Sequence, residues 1–169
     1  SVQIAKAMGH EVVTTCSTDK VDLCQQLGAD EVIDYRKVDV VDFLKQKSHE
    51  FDLIVDNVGK DDELYNISGK ILKSGGTFAQ VGVGSTIGLG TAGAALKRIL
   101  MPSFLGAPNY LMIAMNNGAE NLEPIGEWMA EGKIKAVIDK TYAFEEVPQA
   151  YAYLREGHAK GKIVVHVGK

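Results

Sequence analysis

The feature that most limits what this chain can fold into is its regular switching between stretches at helical spacing and short β-rich or continuously apolar runs. Val2, Ile4, Ala5 and Met8 recur at helical spacing before Gly9. The run EVVTTCS that follows is β-rich, and helical spacing returns at Val21, Cys24 and Leu27, with Ser17 placed as an N-cap and Gly28 as a stop. EVIDY is the next strand, and Val40, Phe43 and Leu44 mark a helix ending near Lys47. FDLIVDNVG is an unbroken apolar run of the kind buried on both faces of a parallel sheet. Leu64, Ile67 and Ile71 mark a further helix, stopped at KSGG, and TFAQVGV is a strand. Strands that alternate with helices over short connections pair in parallel, because each crossover returns the chain to the same end of the sheet. The expected fold class is therefore α/β, a doubly wound parallel sheet with helices on both faces.

Beyond Gly82 the texture changes. GVGSTIGLGTAGAAL is rich in glycine and small residues, which suits a mobile loop or a close backbone approach to a ligand. One more strand is expected around Ser103–Gly106. An amphipathic helix follows in NLEPIGEWMAEGKI with Leu122, Ile125, Trp128 and Met129 inward, then the strand AVIDKTYAF, the helix EEVPQAYAYLREG and the strand KIVVHV. A formal charge of −4 gives no general attraction to nucleic acid or to an anionic membrane surface. No run of about 20 apolar residues predicts a membrane span. Cys16 and Cys24 lack a CxxC partner, and His10, His49, His158 and His166 are scattered, so no metal site is assigned and a reduced intracellular protein is expected.

The alternation opens on a helix. In a doubly wound sheet the first strand lies in the middle and leads into the first helix through a glycine-rich turn that holds a pyrophosphate. No GxGxxG precedes a helix here, and GVGSTIG sits at the wrong end of its strand–helix unit. The segments VQIAKAMGHEVVTTCSTDKVDLCQQLGADEVIDYR, FDLIVDNVG, LKSGGTFAQVGV and EGKIKAVIDKTYAFEEVPQAYAYLREGHAKGKIVVHV occur in the order seen in medium-chain dehydrogenase/reductases. Over essentially its whole length the chain resembles the quinone-oxidoreductase-like, zinc-type alcohol dehydrogenase-like branch of that superfamily. The resemblance implies that about half of the polypeptide lies upstream of Ser1, including most of the catalytic domain, the central strand and its glycine-rich turn. Residues 1–116 would then be a Rossmann dinucleotide-binding lobe without that strand, and 117–169 a tail that packs on the catalytic domain. On this reading EVVTTC and FDLIVDN flank the central strand, and the 169 residues alone do not turn over a nicotinamide cofactor.

The same resemblance implies NADP(H) as cofactor and hydride transfer to a quinone or an activated C=C bond. NAD enzymes usually carry an acid at the end of the second strand for the ribose hydroxyls. Here that place holds TCS, and Ser17 and Lys20 could donate to a 2′-phosphate, joined by Tyr35 and Arg36 after the next strand. Asp19 is a contrary sign. Asn57 and Gly59 are expected beside the adenosine ribose, with Asp56 bracing the turn. Val81, Gly82 and Val83 are expected near the nicotinamide, Phe104 and Leu105 at its carboxamide, and Lys162 at the pyrophosphate. Each also has a plain reading, as a cap, a core residue or a solvated charge. No catalytic acid can be inferred. The branch commonly dimerises by pairing edge strands of two cofactor lobes, which places a homodimer contact at Ser103–Gly106. A cytoplasmic enzyme is expected, with a mitochondrial location left open. The readings that compete are a zinc-dependent alcohol dehydrogenase of the same superfamily and a non-catalytic interaction module that keeps the fold.

Overall fold

The computed structural model describes residues 1–59, 62–81, 89–100, 108–113, 120 and 122–168. The helix–strand order read from the sequence is present through its first half. Helix α1 (Val2–Ala7) leads to β1 (Val13–Cys16), a 3-10 turn over Thr18–Lys20, α2 (Val21–Gln26) and β2 (Glu31–Asp34). Helix α3 (Val40–Leu44), β3 (Phe51–Asp56), α4 (Glu63–Ile71) and β4 (Leu72–Gln80) follow. Then come α5 (Leu89–Leu100), β5 (Asn109–Met112), α6 (Glu123–Ala130), β6 (Ile138–Ala143), α7 (Val147–Arg155) and β7 (Lys162–His166). No helix among the described residues is long and apolar enough to cross a membrane.

Every strand pairing is parallel, as the alternation requires, but the strands lie in three sheets: β1–β2, β3–β4–β5 and β6–β7. Strands β1 and β3, the two expected to flank a central strand, each end their sheet. The chain divides into two compact units. One comprises Ser1–Lys37 with Gly118–Lys169, the other Val38–Asn117.

In the first unit, Gln3 acts as a piece of strand. Its side-chain amide donates to the Lys135 carbonyl at 3.0 Å and accepts from the Lys135 N–H at 2.8 Å, tying α1 to the segment before β6. Lys6 grips both oxygens of Asp30 at 2.9 Å, and Asp30 accepts the Val12 N–H at 2.7 Å, which fixes the turn between α2 and β2 against the start of β1. Helix α6 differs from expectation. Ile125 and Trp128 are half-buried, whereas Leu122 and Met129 are exposed, because nothing among the described residues covers that part of its apolar face.

In the second unit the aromatic side chains of Tyr65, Phe78 and Tyr110 pack together. Tyr65 meets the other two edge-on, at centroid distances of 5.3 and 5.6 Å. Phe78, Ile71 and Ser68 are sealed from solvent between α4 and the sheet. The opposite face of the same sheet is open. Leu53 is 54% exposed and Val55 39%, so among the described residues β3 is covered on one side only, where the apolar run predicts burial on both faces. Two further expectations change here. The KSGG stretch lies inside β4, where the register with β3 shifts between Phe51 and Leu53, and the strand ends at Gln80. The small-residue stretch read as a loop is helical from Leu89 onward as α5, since alanine and leucine favour a helix strongly enough to carry its two glycines. The expected strand at Ser103–Gly106, and the dimer contact placed on it, lie outside the described residues. A strand the sequence reading did not identify, β5, pairs with β4 instead.

Candidate strand-end site

In the first unit the site is built on the carboxyl ends of β1 and β2, where an open parallel sheet presents its ligand crevice. The ladder runs Val13↔Glu31 to Cys16↔Asp34, and the Tyr35 N–H continues it by donating to the Cys16 carbonyl at 3.1 Å. Parallel pairing thus brings Ser17 and Tyr35, the next residue of each strand, to the same end of the sheet. Tyr35 is exposed there, whereas Ser17 is only 4% exposed. Ser17 stands at the N-cap position of the 3-10 turn but makes no capping bond, because its hydroxyl donates to Asp19 Oδ1 at 2.6 Å. The expected cap is therefore replaced by a side-chain pair. The Ser17 hydroxyl first, then the charges of Lys160 and Arg36, hold the Asp19 carboxyl below the usual carboxylate range. Lys160 Nζ stands 3.9 Å from Asp19 Oδ2.

Asp34 closes β2 with its side chain 10% exposed. One oxygen accepts the Arg36 N–H at 3.0 Å, and the other has Lys37 Nζ at 3.7 Å. A Thr18 hydrogen bond is the largest influence holding its carboxyl down. Lys20 ends the 3-10 turn. Burial, with the Cys24 thiol beside it as a second cause, pushes the Cys16 thiol up to about 11, so Cys16 stays protonated at neutral pH and is no thiolate nucleophile. The donor set suits an anion. A buried hydroxyl and the cations Lys20, Arg36, Lys37 and Lys160 belong to one strand-end region that holds two carboxylates, Asp19 and Asp34.

Lys162, the tail residue picked from the sequence, starts β7, and its N–H donates to the Val137 carbonyl at 2.7 Å. Its neighbour Lys160 is the one at Asp19. Alternation along KGK does not tell the two apart, since residues two apart share a face, and only the folded chain shows that Lys160 meets Asp19 in the turn after β1.

In the second unit the end of β3 is braced as expected of Asp56. Its Oδ1 accepts the Val58 N–H at 2.9 Å and the Gly59 N–H at 2.8 Å. Gly59 takes φ +58°, which a side chain would oppose, and Asn57 lies exposed in the same turn. Val81 follows β4, with its N–H on the Asp56 carbonyl at 2.8 Å. Gly82, Val83, Phe104 and Leu105 lie outside the described residues.

The sequence reading also passed over Arg98. This residue projects from α5, nearly buried, with one nitrogen on Gln80 Oε1 at 3.0 Å, another paired with Asp62, and its guanidinium 4.2 Å from the Tyr65 ring centroid. Tyr110 donates to the same Gln80 oxygen at 2.6 Å. Among the described residues no three His, Cys, Asp or Glu side chains gather as a metal centre needs. The residues described therefore do not fit a zinc site.

A family model described as a zinc-binding dehydrogenase matches residues 27–165. The trans-enoyl reductase pgmF of Aspergillus terreus is 40% identical to this chain, over 98% of the chain and 47% of the relative. The mitochondrial NAD(P)H oxidoreductase RTN4IP1 of Bos taurus is 34% identical over 99% of the chain and 44% of its own length. The solved quinone oxidoreductase of Coxiella burnetii superposes with a TM-score of 0.74 at 26% identity, covering 99% of this chain and 48% of that one. The chain spans about half the length of the relatives it matches.

Proposed function

The chain belongs to the zinc-binding dehydrogenase family, whose members matched here are oxidoreductases, and on that premise we propose that it serves an NADPH-dependent reductase of a quinone or an activated C=C bond, such as an enone or enal. The names of the relatives support the reaction class, since they include an enoyl reductase and a quinone oxidoreductase. The cation-rich end of β1 and β2 supports the choice of NADPH, because a 2′-phosphate adds charge where NADH has only hydroxyls.

When bound, the nicotinamide supplies a hydride to the substrate. This chain's own part is binding and orientation. Ser17 turns its hydroxyl from Asp19 to the phosphate, with Lys20, Tyr35 and Arg36 around it. Asp56 holds the turn through Asn57 and Gly59 so that backbone comes close to the ribose without a side chain in the way. No residue described here is assigned as the proton donor.

The reading is tested on the full-length protein by following nicotinamide absorbance with NADPH or NADH against a panel of quinones and enones. Turnover with a clear preference for NADPH is expected. Replacing Lys20 and Tyr35 together should erode that preference at least about tenfold, the worth of one charge-assisted contact. Equal use of both cofactors by the unmodified enzyme would defeat the cofactor assignment, and no turnover with any quinone or enone would defeat the substrate class.

A further inference from the structure

We propose that Arg98 is a positioning residue, acting through Asp62 and Gln80 to hold the turn after β3 and the end of β4 at a fixed spacing for the nicotinamide end of the cofactor. The proposal rests on the reading above, that a nicotinamide cofactor binds at these strand ends, and deepens it by adding a residue that does not itself touch the cofactor.

The carboxyl ends of the sheet in the second unit are level. Asp56 of β3 stands opposite Gln80 of β4, and Gln80 opposite Met112 of β5. Past that line the backbone is tied twice. The Val81 N–H donates to the Asp56 carbonyl at 2.8 Å, and the Ile113 N–H to the Gln80 carbonyl at 2.9 Å. Those bonds fix the strands but not the start of α4. Asp62 stands at the N-cap position of α4, yet its side chain makes no capping bond and pairs with Arg98 instead. The same guanidinium donates to Gln80 Oε1 through its other nitrogen, at 3.0 Å. One side chain from α5 thus joins the helix that follows the turn through Asn57 and Gly59 to the strand that delivers Val81.

The join is firm because each part is held from a second side. The guanidinium lies 4.2 Å from the Tyr65 ring centroid and 5.7 Å from that of Tyr110, which sets its plane. Gln80 Oε1 also accepts the Tyr110 hydroxyl at 2.6 Å, so the Gln80 amide stays turned toward Arg98. An arginine fork reaches two acceptors in fixed directions, which an ammonium on a flexible stem does not. Stability alone gives little reason for a charge here. Arg98 is 9% exposed and Asp62 62%, and a well-packed apolar side chain often holds such a place as well as an ion pair does. What it lacks is the hold at two points. A displacement of about 1 Å between reacting groups can cost about 100-fold in rate, so this spacing bears directly on hydride transfer.

The test uses the full-length protein with Arg98→Lys, which keeps the charge and loses the fork, and with Asp62→Asn, whose exposed position keeps the test open if Arg98→Lys does not fold. Two readouts are taken: kcat and KM with NADPH or NADH and a quinone or enone, and calorimetric affinity for NADPH and for 2′,5′-ADP, which lacks the nicotinamide. Arg98→Lys should lower kcat about tenfold or more, with the substrate KM within about twofold. The affinity for NADPH should fall about fivefold relative to that for 2′,5′-ADP, the worth of one hydrogen bond. Asp62→Asn should give the same pattern at smaller size, and the double variant should be no slower than Arg98→Lys alone. Unchanged kcat and affinity ratio in both variants overturn the proposal. So does equal weakening of NADPH and 2′,5′-ADP in step with a lower urea midpoint, which would make Arg98 a stabilising residue only. If the unmodified enzyme prefers NADH, the choice of NADPH falls and the role of Arg98 is read with NADH and 5′-AMP. If no quinone or enone is reduced, the substrate class falls and the affinity ratio alone decides. If no nicotinamide cofactor binds, both readings fall.

Discussion

In the unit spanning Val38–Asn117, Phe78, Ile71 and Ser68 are closed off from solvent, and Leu44, Ile67, Leu72 and Ala79 are buried with them. In the other unit the buried apolar residues among those described are Cys16, Ile33 and Ala150. What that unit has instead is carboxylates. Asp19, Asp30, Asp34 and Asp139 each accept hydrogen bonds that hold their carboxyls below the ordinary range, led respectively by Ser17, Lys6, Thr18 and the Lys160 N–H. The comparison teaches a division of labour. Apolar burial is strong but non-directional, whereas a hydrogen-bonded carboxylate fixes the path of a particular turn. The turns that Asp19 and Asp34 fix carry the candidate phosphate ligands Ser17, Lys20, Tyr35 and Arg36.

The hardest way to break the contrast is through the apolar side. Phe78→Ala should cost about 3–5 kcal/mol, the range for removing a buried ring, read from the urea midpoint of the full-length protein. A loss under about 1 kcal/mol would mean that the aromatic cluster is not the centre of its unit. Arg98→Met comes next, at about 1–3 kcal/mol. It removes the bonds to Gln80 and Asp62 and the stacking on Tyr65, but Asp62 is mostly in water and rehydrates, so the cost stays below that of breaking a fully buried pair.

Acid sharpens the contrast from the other side. The four carboxyls are lowered in the folded state, so the unfolded chain binds more protons as pH falls below about 4. Their contribution is present above that pH and is lost as pH drops through the folded values. Hydrogen exchange should therefore show protection lost on acidification first in Ser1–Lys37 and Gly118–Lys169, and Asp30→Asn should flatten part of that dependence. Simultaneous loss in both units would erase the distinction. The smallest effect is local. Tyr153→Phe removes one of the two bonds to Asp139 Oδ2, which should speed exchange of the Lys160 amide and leave the global urea midpoint nearly unchanged.

The sequence carried the order of elements through β4 because a β-branched run such as EVVTTC and a stretch at helical spacing such as VDLCQQL differ plainly. It did not carry how those segments are covered. Leu53 and Val55 read as interior residues, yet their exposure depends on which elements lie over that face, and a linear pattern holds no such information. Helix α5 was hidden because glycine and alanine together satisfy both a loop and a helix reading, and Arg98 was hidden with it. That Ser17, Tyr35 and Arg36 share one strand end was legible, since parallel pairing sets strand ends side by side. Lys160 was not, for its place follows from a contact between residues far apart in the chain.

The bridge between Gln3 and Lys135 joins residues 132 positions apart, and the unit it belongs to is interrupted by about 80 residues of the other. Closing a flexible loop of that length costs about 4 kcal/mol beyond the fixed part of the closure entropy. Ser1–Lys37 therefore meets its partner within this unit, Gly118–Lys169, only after the intervening residues have been made, whereas Val38–Asn117 is continuous. The turn after β1, which holds Asp19, gains the charge of Lys160 only when that later segment has been made.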